Sequence, residues 1–420
     1  MTDRRPTAPP PPHDDGVRRR PRSPWLGACI LVMGILAACG EPPTESASTS
    51  PSASITVEPS LEPSASGDAE PTGSEAPADP GVSEGQLLQV LADELRIRSE
   101  PGTASEQVAT VERGTVVRVL SGPADADGFT WYEVVHTIGQ AGWAAAGDAS
   151  DVWLAPIEPM GDAEPMLTFQ YGCDVSGPIP HPATMVLDDG RVIMAEQGPE
   201  AGWTIRRLSD AGMATVRDTI LGNPYLQASA AYVQVPRPDA GDAPGHGACL
   251  WTFTIATDGE PIVVTSVSWF GDQEEATFYV PSPERKALDG IAQNLRLIDE
   301  VLDEDAWEAA GALPYVAPDY VLWLASVEPG PGPDFSIPIS GTLPVGDIAE
   351  FGMPAGTGRC DVVSPEEAFE IARLLDPVSD ARRALHVLTL STYRTDSEWF
   401  TLAMVPRMPD GAPGCDGINL

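Results

Sequence analysis

Residues 41–84 contain almost no large apolar side chain; Ser, Pro, Glu, Ala, Gly and Thr make up the tract. Such a segment buries too little surface to offset its chain entropy. It limits every fold open to this chain, because a packed core has to come from the residues after it. The tract reads as a disordered tether. A flexible coil of this length averages roughly 35–40 Å end to end, from about 5–6 Å × √n, and more where carboxylates repel. Ahead of it runs Arg18–Gly40, RRRPRSPWLGACILVMGILAACG. The apolar part, Trp25–Ala38, is 14 residues long, short of the roughly 20 a helix needs to span a bilayer. A basic flank, a short apolar run and small residues before a cut form the secretory-signal pattern.

The cut falls before a cysteine. Leu36-Ala37-Ala38-Cys39 followed by Gly40 resembles the lipobox of bacterial lipoproteins. The resemblance implies that residues 1–38 are a signal peptide and that Cys39 carries diacylglycerol through its thioether and becomes the new N-terminus. It also implies a location at the extracytoplasmic face of the cell membrane, with residues 39–84 as the tether. Two or more acyl chains, palmitate among them, make such an anchor stable where one does not.

The net charge is −38, from 24 Lys+Arg against 62 Asp+Glu. Phosphate backbones repel such a surface, so nucleic-acid binding is excluded as an expectation. Anionic lipid headgroups are repelled too, which leaves the acyl chains to hold the membrane. Six cysteines are present. Cys29 leaves with the signal and Cys39 takes the lipid, leaving Cys173, Cys249, Cys360 and Cys415. An even number in an exported chain points to disulfides. No C-x-x-C spacing occurs, and the five scattered histidines give no metal-ligand pattern. No metal and no cofactor are expected.

From residue 85 the pattern changes. Leu87–Val90 opens a strand, and Leu95-Arg96-Ile97-Arg98 alternates with period two. Val108–Val111, Val116–Leu120, Trp131–Val135 and Gly142–Ala144 follow, with turn signals at Ser99–Gly102, Arg113–Thr115 and Asp125–Gly128. Short strands so spaced indicate a small all-β barrel over 85–156. The order Leu95-Arg96-Ile97-Arg98-Ser99, Pro101-Gly102, Arg113-Gly114-Thr115-Val116-Val117, Trp131-Tyr132-Glu133-Val134 and Gly142-Trp143 resembles the bacterial SH3 (SH3b) family. The resemblance implies an SH3-like barrel and a non-enzymatic binding module, often of cell-wall or envelope material. Trp131, Tyr132 and Trp143 are its candidate ligand contacts, although at least one aromatic has to fill the core. Arg96 and Arg98 share a face, read as solvated.

Residues 157–165 read as a linker to an α+β region over 166–420. Cys173-Asp174-Val175 recurs as Cys360-Asp361-Val362. Val235-Pro236-Arg237, ahead of Cys249, recurs as Val405-Pro406-Arg407, ahead of Cys415. An internal duplication predicts the pairs Cys173–Cys249 and Cys360–Cys415; chance similarity of Pro/Gly-rich loops is the other reading. Hairpins are expected at Thr184–Met194, about Asp188-Asp189-Gly190, and at Trp251–Trp269. Helices are expected over Ser209–Leu221, from Ser282-Pro283 through Leu302, and from Ser364 to Leu375, each opening on a serine cap. Strands Ala384–Ser391 and Trp399–Val405 close the chain. The fold class is thus multidomain: a small SH3-like barrel, then an α+β region of antiparallel hairpins and helices, with a subdomain break near 330–341.

Asp299, Glu300, Asp303, Glu304 and Asp305 lack calcium-loop spacing and read as a solvated face. His136, His181, His246 and His386 read as structural, and no G-x-S-x-G or nucleophile–base pattern occurs. No catalytic residue is assigned and no enzyme activity is expected. The sequence is read as a lipid-anchored extracytoplasmic binding protein, its SH3b module contacting a cell-envelope or protein ligand. The alternatives are an SH3b-targeted enzyme or enzyme inhibitor acting through 166–420, and a structural spacer.

Overall fold

The structure is a computed structural model that describes residues 81–172, 182–196, 202–241, 249–269, 271–309, 311–327, 337–339, 343–346, 350–376, 385, 389–395, 399–411 and 413–415. The signal segment, Cys39, the tether as far as residue 80, Cys173, His181, His246 and His386 lie outside them. All described residues belong to one compact unit. They are mostly β-sheet with few helices, in three sheets.

The first sheet holds β1 (Leu87–Val90), β2 (Glu94–Arg98), β3 (Gln107–Glu112), β4 (Val116–Ala126), β5 (Phe129–His136), β6 (Ala141–Ala145) and β7 (Leu154–Pro156), in spatial order β3-β2-β6-β5-β4-β1-β7. Asp127 and Gly128 join β4 to β5 with φ of 52° and 82°, the two left-handed residues that a tight hairpin turn requires. Leu88, Val90, Ile97, Val117, Val119, Tyr132 and Val134 form this sheet's own core.

The second sheet holds β8 (Pro165–Gly172), β9 (Pro182–Leu187), β10 (Arg191–Ala195), β11 (Trp203–Arg207), β12 (Ala230–Tyr232), β13 (Leu250–Ile255), β14 (Ile262–Val267) and β15 (Leu313–Pro314). Its order is β12-β14-β13-β8-β9-β10-β11-β15. Helices α1 (Asp210–Val216), α2 (Asp272–Phe278), α3 (Pro283–Arg296) and α4 (Ile298–Val301) belong to this stretch. Ser209 caps α1 by accepting from Gly212 N, but α-helix gives way to a π-helical turn at Arg217–Leu221. Met213, Val216 and Ile220 are buried as one stripe, whereas Thr219 is exposed. Ser282 caps α3, whose Leu288, Ile291 and Leu295 pack on one face of the sheet.

The third sheet holds β16 (Tyr320–Ser326), β17 (Ile337–Pro338), β18 (Met353–Ala355), β19 (Gly358–Val363), β20 (Thr389–Arg394) and β21 (Trp399–Pro406), ordered β17-β20-β21-β16-β19-β18. Helix α5 (Pro365–Leu375) starts in a full capping box between Ser364 and Glu367. The change from second to third sheet falls between Pro314 and Tyr320 rather than near 330–341, where Ile337–Pro338 is already part of the third sheet. Each of the two sheets also carries one parallel edge pair, β12 with β14 and β17 with β20, so the region is not built of antiparallel hairpins alone.

The expected duplication is not a repeated fold. Beside β8 lies the first strand of the β13–β14 hairpin; beside β16 lies the second strand of β20–β21. Val405 and Pro406 end β21, paired with Val321 and Tyr320. Val235 and Pro236 follow β12 outside any strand, Pro236 bridging to Tyr279. The recurring strings are alike in composition and unlike in place. Cys360 of β19 is nevertheless bonded to Cys415, with Cα atoms 5.6 Å apart. Cys249 is also a disulfide cysteine, and its neighbour Leu250 pairs with Gly172, the residue before Cys173.

One core joins the three sheets. Leu87, Val116 and Val135 of the first sheet pack with Met185, Leu187 and Ile193 of the second, Leu322 and Leu402 of the third, and Phe369 and Leu375 of α5. Successive strand residues face opposite sides. In the pairs Leu87/Leu88, Val116/Val117 and Val135/Val134, one residue therefore serves the shared core and the other the sheet's own core. Strands buried on both faces read as continuous apolar runs, which is what LLQV and VVRVL are. Residues 157–165, expected as a linker, are part of this packing: Met160 is buried in the shared core, and Arg191 donates to Pro159 O at 3.0 Å and Met160 O at 2.6 Å. Gln89 Nε2 donates to Pro314 O at 2.9 Å. A Cβ on Gly114, whose φ is +84°, would lie 2.2 Å from Pro314 Cδ.

Candidate ligand-binding face

The three aromatic candidates have separate fates. Trp131 and Tyr132 are adjacent on β5 and face opposite sides, yet they are only 3% and 1% exposed. Tyr132 fills the first sheet's core. Trp131 lies on the outer face but is covered: Phe129 meets it edge-on with ring centroids 6.3 Å apart, and its Nε1 donates to Ala126 O at 3.0 Å. Neither ring is available to a ligand, which corrects their assignment as contacts. Trp143, half-buried on β6, keeps an open edge.

Register explains what surrounds Trp143. It stands opposite Arg98 of β2 on one side and Glu133 of β5 on the other, and Glu133 stands opposite Ser121 of β4. Directly opposed residues share a face, with Cβ atoms about 4.5–5.5 Å apart. The outer face thus carries a row, Arg98–Trp143–Glu133–Ser121, with an indole between a cation and an anion. Both charges are oriented: Arg98 Nη1 donates to Ser105 O at 2.6 Å, and Ser121 Oγ donates to Glu133 Oε2 at 2.7 Å. Gly142 allows the strands this approach, because a Cβ there would lie 2.5 Å from Arg98 O. Arg96, on the same face as Arg98, is exposed opposite Thr110. The two arginines read alike in sequence, and only the neighbouring strand separates them.

Two aromatics not singled out from the sequence extend this face. Phe129 and Trp153 are half-buried with centroids 5.6 Å apart. Phe129 lies four residues along β5 from Glu133, about 13 Å at roughly 3.3 Å per residue. Nothing in the sequence pairs them, since their contact depends on how β7's approach crosses the sheet. The nearby 99–106 loop is pinned to the β4–β5 turn: Thr103 N and Oγ1 donate to Asp127 Oδ2 at 2.7 and 2.8 Å. The side-chain bond from Thr103, then the backbone one, holds the Asp127 carboxyl below the usual carboxylate range. At the other end of β5, Val135 is buried in the shared core, so the rest of the chain occupies part of this outer face.

The other candidates resolve structurally. Asp299 and Glu304 are organised by Arg206, whose Nη1 and Nη2 meet them at 2.6 Å each while its guanidinium lies 4.6 Å from the Trp307 ring centroid. All five carboxylates of the cluster are exposed, as expected of a solvated face, and two of them, Asp299 and Glu304, also hold Arg206 in ion pairs. His136 is buried, and burial alone lowers its pKa. Among the described residues no group of three or more His, Cys, Asp or Glu is placed to hold a metal ion, and no helix is long and apolar enough to cross a membrane.

No curated protein matches the chain. Residues 93–150, from the turn before β2 to just past β6, match the family model described as the bacterial SH3 domain. That stretch, with Trp143 open on its outer face, is a bacterial SH3 domain.

Proposed function

We propose that this protein is a lipid-anchored extracytoplasmic binding protein whose SH3b domain engages a cell-envelope ligand through the face around Trp143. The anchor rests on Cys39 and the segment before it, and the tether on residues 39–84. The observation that carries the binding reading is the Arg98–Trp143–Glu133 row, an aromatic platform between fixed opposite charges on a domain of a binding family. The reading assigns no catalysis to the chain. The strong excess of Asp and Glu, 62 against 24 Lys+Arg over the whole sequence, favours neutral or cationic partners over anionic ones.

The test is retention of the detergent-released intact protein on isolated bacterial cell wall. Trp143→Ala is expected to weaken retention about tenfold or more, as loss of a central aromatic contact does, with the thermal transition unchanged. Equal retention of Trp143→Ala and the parent would remove the proposal and leave the spacer reading. Detergent-phase partitioning of the parent, lost in Cys39→Ser, tests the anchor separately.

A further inference from the structure

A cleft lies away from the SH3b face, between β1, residues 157–163, the segments flanking β16 and β21, and the start of α5. Its volume is about 580 Å³, within the roughly 300–1,000 Å³ of small-molecule sites. Its floor is apolar, from Leu87, Ile157, Met160, Val316 and Met408. Four of its wall positions are prolines, Pro159, Pro318, Pro365 and Pro409, and proline has no N–H to donate. Those positions offer only carbonyl acceptors, and the side-chain donors of the lining are Gln86 and Arg407. Three carboxylates line it, Glu158, Asp319 and Glu366, against one guanidinium, Arg407. That guanidinium is partly engaged, with Nη1 3.1 Å from Asp319 Oδ2 and Nε donating to Gly411 O at 2.7 Å. Glu158 is shared with Arg207 outside the cleft. Glu366 is exposed and has no ion-pair partner among the described residues. It stands in the first turn of α5, where the helix dipole favours anions. That end is already served by Ser364 Oγ, which accepts from Glu367 N, and by Glu367 Oε2, which accepts from Ser364 N.

We propose that this cleft binds a small amphiphilic molecule bearing a protonated amine, its apolar body on Ile157, Pro318 and Pro409 and its ammonium at Glu366. The ligand brings a cation to a proline-walled cleft in which three carboxylates stand against one guanidinium. The site is independent of the SH3b face, so neither stands or falls with the other.

The test uses three probes of one size, hexylammonium, hexanol and hexanoate, titrated by calorimetry into the intact protein with its disulfides formed. Hexylammonium is expected to bind saturably, about two- to fivefold tighter than hexanol, the range of a part-exposed ion pair, with hexanoate weakest. Glu366→Gln should bring hexylammonium to the level of hexanol. Pro409→Trp, which places a large ring in the cleft, should abolish binding of all three while leaving the thermal transition and cell-wall retention in place. No saturable heat with any probe would overturn the proposal. So would a preference for hexanoate, or hexylammonium binding that survives Pro409→Trp. Should Pro409→Trp fail to fold, Glu366→Gln alone decides, because an unchanged preference for the ammonium also refutes the site.

Discussion

Leu87 and Leu88 are neighbours on β1, 5% and 1% exposed, and they point into different cores. Leu88 belongs to the SH3b domain itself; Leu87 is buried only because the second and third sheets cover that face. Truncating either to Ala removes three carbons. At about 0.8 kcal/mol per buried carbon the transfer cost is about 2.4 kcal/mol, and the residual cavity takes the total toward 3–5 kcal/mol. Leu88→Ala is expected to cost that much however the domain is mounted. Leu87→Ala is expected to cost at least 2 kcal/mol in the docked arrangement, but a domain swinging on a flexible linker would show a surface effect within about ±0.5 kcal/mol. Urea titration of the intact protein, followed by Trp fluorescence and far-UV circular dichroism, measures both. A Leu87→Ala cost under about 0.5 kcal/mol, or a first transition belonging to the SH3b domain alone in the parent, would refute the shared core.

Further expectations concern single interactions. Glu275 and Arg285 form a fully buried pair, with Arg285 Nη1 and Nη2 at 2.9 and 2.8 Å from the carboxylate; Glu275→Ala should cost about 3–5 kcal/mol by stranding the guanidinium, and exchanging both for apolar residues far less, read as urea midpoints. Replacing Cys360 and Cys415 by Ser opens a loop of separation 55 and should cost about 2–4 kcal/mol, seen as a lower thermal midpoint in the absence of reductant. His136 is held neutral by burial, so the unfolded chain takes up its proton first as pH falls below the usual histidine value. Stability should therefore decline below about pH 6.5, and His136→Phe should flatten that decline in a pH series of melts. Glu367→Ala breaks the capping box of α5 and should cost about 1 kcal/mol, measured the same way.

Local chemistry made much of this molecule readable in advance. Ser209, Ser282 and Ser364 start helices because a short hydroxyl side chain satisfies an open backbone donor. Gly190, at φ +91°, turns the β9–β10 hairpin. Boundaries were harder to read: the strand expected at Ala384–Ser391, most of whose first half lies outside the described residues, runs on to Arg394. The central strand β16, YVLWLAS, carries no alternation because Leu322 and Leu324 enter the shared core while Val321 and Trp323 enter the one beside the disulfide. Periodicity says nothing for such a run. The binding face failed for a related reason. Trp131 and Trp143 look alike in sequence, and only the ring of Phe129 and the register of β6 make one buried and the other open. Arg206 shows the same limit, since its acidic partners lie more than ninety positions away.

The double use of β1, β4 and β5 bears on how this gene can change. A domain joined by a loose linker can be exchanged by recombination, because its outer surface is already suited to water. Here Leu87, Val116 and Val135 would come to the surface of any copy cut out and moved elsewhere, as an apolar patch inviting self-association. Gly114 is bound in the same way, holding its turn open for a proline two hundred positions downstream. Substitutions along this seam have to be matched from both sides, so the domain and the sheets it rests on are constrained to diverge together.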